Sequence, residues 1–363
     1  GFSITSGATH HLGLDNTDIG STFDYVADGT RGTIKGFGQF EGNLEFTIHE
    51  KVVSPTAWMQ TPPTLVTPLV VSDYDLYGTG SATRVIDGGD GDILLLAHQP
   101  GGGAAQTLTN AKLSIINFRK LHIYGLDMEV TDSSLSTRVL QIKSSSDRTT
   151  TEEIFVEGLS MEHNFIADNC DAVVLLNLGL EGFPLSRLVL QNSRIAGLGV
   201  PTNSDGPNTH PDIMQMQGAT YIDNVYIENF TGTTMYQGLF LPWNQNVGSS
   251  ALAPEYAVRD VNLYSGDPDT HRLYVTQGEG YTAAEYPITS FDNVYLSQAQ
   301  THPFGVGPTE IHVDPNLNDS SPFNFVAAAR ITGLPTTGLA PADFVDRADV
   351  GINYVSPHGV PTY

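Results

Sequence analysis

A short alternating pattern of apolar and polar positions recurs along the middle of the chain. Each copy reads apolar, any, apolar, any, and then a small or amide residue. Alternation with a period of two is typical of a β-strand with one buried face, and a closing Gly or Asn favours a turn. The copies lie 33, 34, 37, 36 and 33 residues apart and begin at Leu121, Ile154, Leu188, Val225, Val261 and Val294. This spacing predicts one strand of this family in each repeat.

A second family of apolar strands lies between these copies. Its members begin at Val139, Val173, Ile213, Gly238 and Leu273. Two interleaved families at one period of about 35 residues predict a solenoid in which each coil holds at least two strands, stacked in parallel. We therefore predict an all-β fold, a single-stranded, right-handed parallel β-helix. A jelly roll or another β-sandwich is the alternative, but its strands would not repeat at a fixed phase.

The regularity of the pattern divides the chain into three parts. Residues 1–84 contain strand-like fragments without the period, so we predict an N-terminal cap with the first irregular coils. Residues 85–305 are predicted to form the regular coils that carry a functional cleft. Residues 306–363, where the repeat fades into a proline-rich tail, are predicted to be a C-terminal closing segment packed on the solenoid.

Composition and charge narrow the range of partners. The 363 residues include 40 acidic and 16 basic side chains, a formal net charge of −24, which disfavours binding to nucleic acid. The single cysteine, Cys170, excludes an intrachain disulfide bond. No apolar stretch approaches the ~18 residues that span a bilayer, so we expect no membrane partner. The chain begins at Gly1 without Met, which suggests that a signal or a longer N-terminal region was removed.

The longest insertions flank the middle coil, at residues 198–211 and 244–256. Insertions in a solenoid collect on one face and build a cleft, so we expect the functional site there. The first insertion contains Asp205 and His210 and ends at Asp212, where the next strand begins. The sequence therefore predicts a site at the junction between this loop and the strand.

The strand after this insertion alternates between buried and exposed positions. Met214 and Met216 match the apolar ladder, so Gln215 and Gln217 are predicted to point outward. Stacking of the coils supplies further polar neighbours, which are Lys143, Asn177, Tyr236 and Trp243. Amides bind hydroxyl groups and aromatic rings cover the apolar face of a sugar, so this ladder predicts a sugar-binding surface.

Several of these residues also have a purely structural interpretation. His210 fits a turn residue beside proline, and Asn177 fits an amide ladder that stabilises the solenoid. Lys143 fits an exposed charge after an apolar strand, and Trp243 fits the packing of a loop. His163 is either a turn residue or a second histidine of the cleft.

The repeat, together with a His-x-Asp-x-x-Gln segment that enters a strand, resembles the pectin-lyase-like right-handed β-helix superfamily. The segment consists of His210, Asp212 and Gln215, and the resemblance covers residues 85–305. Members of this superfamily act on polysaccharides as lyases, mannuronan C5-epimerases, glycoside hydrolases or phage tailspike depolymerases. The resemblance implies a polysaccharide partner and an extracellular, secreted or virion-associated location. It also makes assembly into a phage tail or a homotrimer a candidate.

The resemblance and the residue types together favour a lyase that cleaves an acidic, uronate-containing polysaccharide such as alginate by β-elimination. This reaction needs a base for the C5 proton, an acid for the leaving group and a group that neutralises the carboxylate. We assign His210 as the base and Tyr236 as the acid. Lys143, with Gln215 or Asn177, is assigned to the carboxylate.

The remaining assignments support this chemistry. Asp212 is predicted to orient and charge-stabilise His210. Arg148, in a coil next to the site, would offset the repulsion between an acidic chain and an acidic substrate. The other predicted substrate-binding residues are Gln217, Asp205, His163 and Trp243. No cofactor is required and no metal ligand is assigned, although Ca²⁺ is a candidate because acidic loops are plentiful.

Three other functions stay open. An epimerase would share the proton abstraction, and the Asp-Pro-His cluster of the epimerases of this superfamily occurs here in reverse order at residues 210–212. A hydrolase or tailspike depolymerase needs paired carboxylates, which Asp205 and Asp212 would supply. A non-catalytic, carbohydrate-binding β-helix is the third alternative.

Overall fold

The structure is a computed structural model in which the strands of the solenoid are the main described elements. It describes residues 10–12, 23–27, 32–34, 59–72, 83–96, 107–131, 138–144, 149–163, 171–180, 182–198, 212–218, 221–234, 238–242, 255–265, 273–276, 288–296, 311–312, 331–333, 336–337 and 344–362. These residues contain no α-helix. No helix among them is long and apolar enough to cross a membrane.

The first compact unit, residues 1–57, contains a small antiparallel sheet. Its three strands are β1 (His10–Leu12), β2 (Phe23–Ala27) and β3 (Gly32–Ile34). Strand β2 pairs with both of the others.

The second compact unit, residues 58–363, contains nineteen strands joined by parallel pairing. They are β4 (Leu69–Ser72), β5 (Thr83–Leu96), β6 (Leu108–Thr109), β7 (Lys112–Tyr124), β8 (Asp127–Val130), β9 (Leu140–Lys143), β10 (Glu153–Glu157), β11 (Ser160–His163), β12 (Val173–Leu176), β13 (Arg187–Leu198), β14 (Met214–Gln217), β15 (Asn224–Thr234), β16 (Leu239–Pro242), β17 (Glu255–Ser265), β18 (Leu273–Thr276), β19 (Ile288–Leu296), β20 (Ile311–His312), β21 (Ile331–Thr332) and β22 (Thr336–Thr337). This pairing runs past both predicted limits of the regular coils, and the roles of the two ends as cap and closing segment stay predictions.

The parallel strands form three stacks. Stack 1 holds β4, the later parts of β5 and β7, β10, the earlier parts of β13, β15, β17 and β19, and β21. Stack 2 holds β6, β8, β11, the later parts of β13, β15, β17 and β19, and β22. Stack 3 holds the earlier parts of β5 and β7, and β9, β12, β14, β16, β18 and β20.

The chain passes through stacks 1, 2 and 3 in turn, so the predicted parallel β-helix is confirmed. Crossovers between parallel strands are right-handed in about 98% of cases, which supports the predicted hand of the coil. Each regular coil has three strands, one more than the minimum that the sequence pattern required. Stack 2 was missed because its strands often continue from those of stack 1 within one long element, as in β13 and β15.

The corner between stacks 1 and 2 is a column of residues in the left-handed conformation. Asn192, Asn229, Asp260 and Asn293 have φ angles of 48°, 49°, 49° and 55°, and Gly158 continues the column with 68°. The amide of Asn229 donates to the side-chain oxygen of Asn192 at 2.7 Å, and that of Asn293 donates to Asp260 at 2.6 Å. Asn and Asp tolerate this conformation, so the predicted turning role of the closing residues is confirmed at Gly158, Asn192 and Asn229.

The same column corrects the predicted register of the repeat. Val225 pairs with Tyr256, whereas Val261 pairs with Phe230. The first four copies of the motif therefore belong to stack 1, and the copies at Val261 and Val294 belong to stack 2. The pattern was misaligned because both parts of β17 alternate, and its corner residue is Asp260 rather than Gly or Asn.

The interior of the solenoid is a continuous apolar column. Leu121, Ile154, Leu188 and Val225 follow one another in register and are each at most 2% exposed. Burial of each such side chain stabilises the fold by about 1.5–3 kcal/mol. Each coil buries its apolar side chains against its neighbours, so the repeat extends without a globular core.

A segment before β4 covers the outer side of stack 1. The backbone N–H of Gln60 donates to Oε1 of Gln191, and Nε2 of Gln191 donates to the Gln60 carbonyl, both at 3.2 Å. Further along, the N–H of Val66 donates to Asp92 at 2.6 Å. Residues 59–66 thus cross several coils, and outward polar side chains of stack 1 are buried beneath them.

The C-terminal segment covers another part of stack 1. It contains two short 3-10 helices, η1 (Arg347–Asp349) and η2 (Gly351–Asn353). Glu157, fully buried, accepts hydrogen bonds from the hydroxyls of Tyr354 at 2.7 Å and Ser356 at 2.8 Å on one oxygen. Its other oxygen lies 2.9 Å from Nε2 of His122. One carboxyl group therefore ties the C-terminal segment to β7 and β10.

Glu228 makes the stability of this fold depend on pH. It lies on the outer side of β15 and is fully buried, with Oε1 at 3.4 Å from Nη1 of Arg259. Burial raises its pKa from 4.5 to about 8, while Arg259 opposes and Asp260 and Glu255 reinforce the shift. Because the folded state binds this proton more tightly than the unfolded state, stability falls as the pH rises between those two values.

Glu228→Gln is expected to remove this part of the pH dependence. Above the raised pKa, the variant should gain up to about 5 kcal/mol in free energy of unfolding, since one pKa unit corresponds to about 1.4 kcal/mol. Urea unfolding across the pH range measures the effect. The control is Glu152→Gln, at an exposed side chain, which should keep the wild-type slope. An unchanged slope in Glu228→Gln would contradict the assignment.

Candidate functional site

The predicted site falls on the outer side of stack 3, where β9, β12 and β14 lie side by side; we call this surface the β9–β14 face. Lys143, Leu176 and Gln217 occupy equivalent positions on the three strands. Met214 and Met216 are 1% exposed, while Gln215 and Gln217 between them are partly exposed. The predicted alternation of this strand is therefore confirmed.

A chain of hydrogen bonds crosses this face. The Nη2 atom of Arg138, just before β9, donates to Oε1 of Gln217, and Nε2 of Gln217 donates to Oε1 of Gln215. One coil, that of β12, lies between Arg138 and Gln217, so the arginine side chain extends across β12 to reach β14. The face thus presents a guanidinium, two amides and, at the end of β9, the exposed ammonium of Lys143.

Two carboxyl groups from adjacent coils lie at the entrance to these strands. Asp171 precedes β12 and Asp212 precedes β14, and they are 7% and 0% exposed. The N–H of Ala172 donates to the Asp212 carbonyl at 2.9 Å, and the N–H of Asp212 donates to Oδ1 of Asp171 at 3.2 Å. The ladder of the β-helix therefore stacks one aspartate directly on the next.

The two carboxyl groups have different surroundings. Burial raises the pKa of Asp171 to about 6, while the Asp212 N–H and the charge of Arg138 oppose the rise. Burial and then the charge of Asp171 raise the pKa of Asp212 well above its ordinary value. Among the described residues, none donates a hydrogen bond to either oxygen of Asp212. These surroundings favour the ionised form of Asp171 and the neutral form of Asp212.

This result changes the interpretation of Asp212. The sequence predicted a carboxylate that orients and charge-stabilises His210, but the buried environment favours a neutral carboxylic acid. A neutral acid still donates a hydrogen bond, whereas it supplies no charge to stabilise an imidazolium. The contact with His210 stays a prediction, because residue 210 lies outside the described residues.

Asn177 has a structural position at the end of β12. Its φ is 53°, its N–H donates to the Gln217 carbonyl at 3.0 Å, and its side chain occupies the space beside Gly218. A Cβ atom on Gly218 would come to 2.1 Å from Oδ1 of Asn177. The structure therefore favours the corner role of Asn177 over a role in binding a carboxylate.

His163 lies in stack 2, away from the β9–β14 face. It is 6% exposed at the end of β11, and among the described residues its Nε2 has no hydrogen-bond partner. Burial lowers its pKa to about 4, so the ring is neutral at neutral pH. The structure places it neither in a turn nor where a sugar on the β9–β14 face would touch it, because the side chain is enclosed within another stack.

Five predicted site residues fall outside the part of the chain that the structure describes. They are Asp205, His210, Tyr236, Trp243 and Arg148. Their roles stay predictions.

Asp171 is the main site residue that the sequence interpretation missed. A signal was present, because Arg138, Asp171 and Asp212 each stand two residues before equivalent strand positions, which are Leu140, Val173 and Met214. The long insertions predicted a site formed by loop residues instead.

The described residues contain no group of three or more His, Cys, Asp or Glu side chains arranged to hold a metal ion. The Asp171–Asp212 pair has Arg138 beside it, and a fixed cation competes with a bound metal. A role for Ca²⁺ stays a prediction for residues outside the described ranges.

No protein-family model matches the chain, and no similarity to a curated protein or to a solved structure was found. The assignment of the fold therefore depends on the strand pairing alone, and functional arguments depend on the chemistry of the site.

Proposed function

We propose that the chain is a polysaccharide lyase of the pectin-lyase-like superfamily, acting on a uronate-containing substrate at the β9–β14 face. The observation that carries the proposal is the alignment of Arg138, Gln217 and Gln215 on this face, beside a buried pair of acids. The three-stack β-helix and the segment from His210 to Gln215 support membership of the superfamily. An extracellular or virion-associated location accompanies this proposal.

The polar groups of the face suit an acidic sugar. A guanidinium forms strong, paired hydrogen bonds with a carboxylate, and amides bind the hydroxyl groups of a sugar ring. Arg138 therefore takes the role of carboxylate-binding residue, which the sequence interpretation gave to Lys143 with Gln215 or Asn177. Lys143 adds a second positive charge on the same face.

The chemistry that fits these groups is β-elimination. A base removes the C5 proton of the uronate, and the released electron pair forms a double bond between C4 and C5. The bond from C4 to the glycosidic oxygen breaks, and the oxygen takes a proton from an acid. Neutralisation of the carboxylate by Arg138 lowers the energy of the carbanion-like transition state. His210 as base and Tyr236 as acid complete the proposal from the sequence.

One observation favours a second candidate, a glycoside hydrolase. Hydrolysis uses two carboxyl groups, one protonated and one ionised, and the surroundings of Asp212 and Asp171 favour this division. This pair replaces the pair of Asp205 and Asp212 that the sequence suggested. Deep burial of both acids weighs against direct contact with a sugar, so we place the lyase first.

A panel of alginate, pectate, glucuronan and ulvan, each tested with and without Ca²⁺, separates the candidate reactions. New absorbance from an unsaturated uronate would support the lyase. Reducing ends without this absorbance would instead establish a hydrolase. Incorporation of solvent deuterium into an uncut chain would establish an epimerase, and binding without reaction would overturn an enzymatic function.

Arg138→Gln is expected to weaken binding of the cleaved substrate by roughly 10- to 100-fold, since a hydrogen bond to a charged group contributes about 1.5–3 kcal/mol. Titration calorimetry with a short oligouronate measures the effect. Arg138→Lys keeps the charge without the planar fork, so it should recover part of the affinity. Equal affinity of Arg138→Gln and the wild type would show that the carboxylate binds elsewhere.

A further inference from the structure

The Asp171–Asp212 pair sets the local charge beside the proposed substrate site. The β9–β14 face carries Arg138 before β9 and Lys143 at its end, and the two aspartates lie before β12 and β14. The chain as a whole carries a formal charge of −24, so an acidic polysaccharide binds only where the local balance is positive.

The hydrogen bonds distinguish the two carboxyl groups of the pair. Asp171 accepts the N–H of Asp212 at 3.2 Å and lies in the field of Arg138, and both favour its ionised form. Asp212 is fully buried without a donor among the described residues, which favours its neutral form. Two such carboxyl groups in one site do not ionise together at low cost, because like charges repel in a buried environment.

We propose that Asp171 and Asp212 hold one proton between them, carried by Asp212, and that this shared proton is what allows the β9–β14 face to bind an acidic sugar. The proposal rests on the proposed function for its substrate class. With the proton in place, the pair has one negative charge against the two positive charges of Arg138 and Lys143. The face then has a net positive charge and attracts a uronate carboxylate.

Loss of the shared proton removes this net positive charge. The pair becomes a dianion, which cancels the charges of Arg138 and Lys143 and competes with the substrate for the guanidinium. Asp171 and Asp212 therefore act as positioning residues for Arg138, without touching the substrate. The affinity for an oligouronate should fall by about tenfold when the pair loses its proton, whereas the affinity for a neutral oligosaccharide should not change.

Infrared spectroscopy tests the position of the proton without any substrate. Glu228 is also protonated near neutral pH, so the spectra are taken in the Glu228→Gln background. We expect a carbonyl band of a protonated carboxyl group at neutral pH that disappears in Asp212→Asn and persists in Asp171→Asn. A band lost in Asp171→Asn but kept in Asp212→Asn, or no band at all, overturns the proposal.

Calorimetry with an oligouronate tests the consequence for binding. Asp212→Asn mimics the protonated acid at every pH, so its affinity should stay constant where that of the wild type declines on the alkaline side. Asp171→Asn also limits the pair to one charge and serves as a second variant. Asp292→Asn, at an exposed position in stack 1, is the matched control and should follow the wild type.

Different results would overturn the role of the Asp171–Asp212 pair and the binding of uronates. An alkaline decline that survives in Asp212→Asn overturns the role of the pair, although the protein still binds uronates. If oligouronates do not bind at any pH, the proposed function fails, and with it the role in binding. The infrared spectra then test, without any binding measurement, whether Asp212 carries the proton.

Discussion

His210→Ala is expected to lower turnover of the uronate substrate by roughly 10²- to 10⁴-fold, which is the usual contribution of a general base. Both the imidazole of His210 and its position in the sequence next to the β9–β14 face lead to this expectation. His210 stands two residues before Asp212, whose backbone is hydrogen-bonded to Ala172 and Asp171 of the preceding coil at the entrance to the β9–β14 face. Alanine cannot accept the C5 proton.

The measurement is the initial rate on the substrate that the panel identifies, together with the thermal midpoint of each variant. His358→Ala is the control, because His358 is an exposed histidine in the C-terminal segment. It should retain wild-type activity. Turnover of His210→Ala within a few-fold of the wild type, with an unchanged midpoint, would show that the base lies elsewhere.

Glu157→Gln is expected to cause the largest loss of stability, roughly 3 kcal/mol or more in the free energy of unfolding. The carboxyl group of Glu157 is fully buried and receives the hydroxyls of Tyr354 and Ser356, while His122 lies against its other oxygen. Glutamine replaces one acceptor oxygen by an NH₂ donor, which faces either the two hydroxyl donors or Nε2 of His122. The group meets an acceptor only if the His122 ring changes its tautomer, and it loses the charge that strengthens these hydrogen bonds.

Urea unfolding measures this loss, and limited proteolysis shows where it occurs. Because Glu157 joins the C-terminal segment to β7 and β10, we expect the variant to be cleaved first within residues 344–362. Glu152→Gln is the matched control, since Glu152 is 48% exposed in its side chain and lies 3.5 Å and 3.9 Å from Arg119 and Lys120. Exposed pairs of this kind contribute about 0–1 kcal/mol, so a similarly small loss in Glu157→Gln would contradict the expectation.

The attachment of the C-terminal segment to the solenoid depends on Gly158 as well as on Glu157. It has a φ of 68°, and a Cβ atom there would lie 2.1 Å from Cγ of the Tyr354 ring. The glycine of this repeat therefore turns the chain and also leaves room for the tyrosine. The sequence pattern indicated the turn, but only the packing of the C-terminal segment shows the second reason.

The sequence repeat predicted only some residues of the candidate site. The outward positions of Gln215 and Gln217 followed from alternation, because a strand has only two faces. Asp171 has no comparable local signal of function, since one acidic residue before an apolar strand is ordinary. Its importance comes from Asp212 and Arg138, which are 41 and 33 positions away in the sequence and become neighbours through stacking.

Alternation and period determined the class of this protein without any tertiary information, because buried faces repeat in register only in a solenoid. They also located the face on which Gln215 and Gln217 lie. Stack 2, the register at Asp260 and the burial of Asp212 were decided by the tertiary structure alone. A strand pattern specifies which side of one strand is apolar, whereas pKa values, corner positions and covered surfaces depend on which coils lie next to one another.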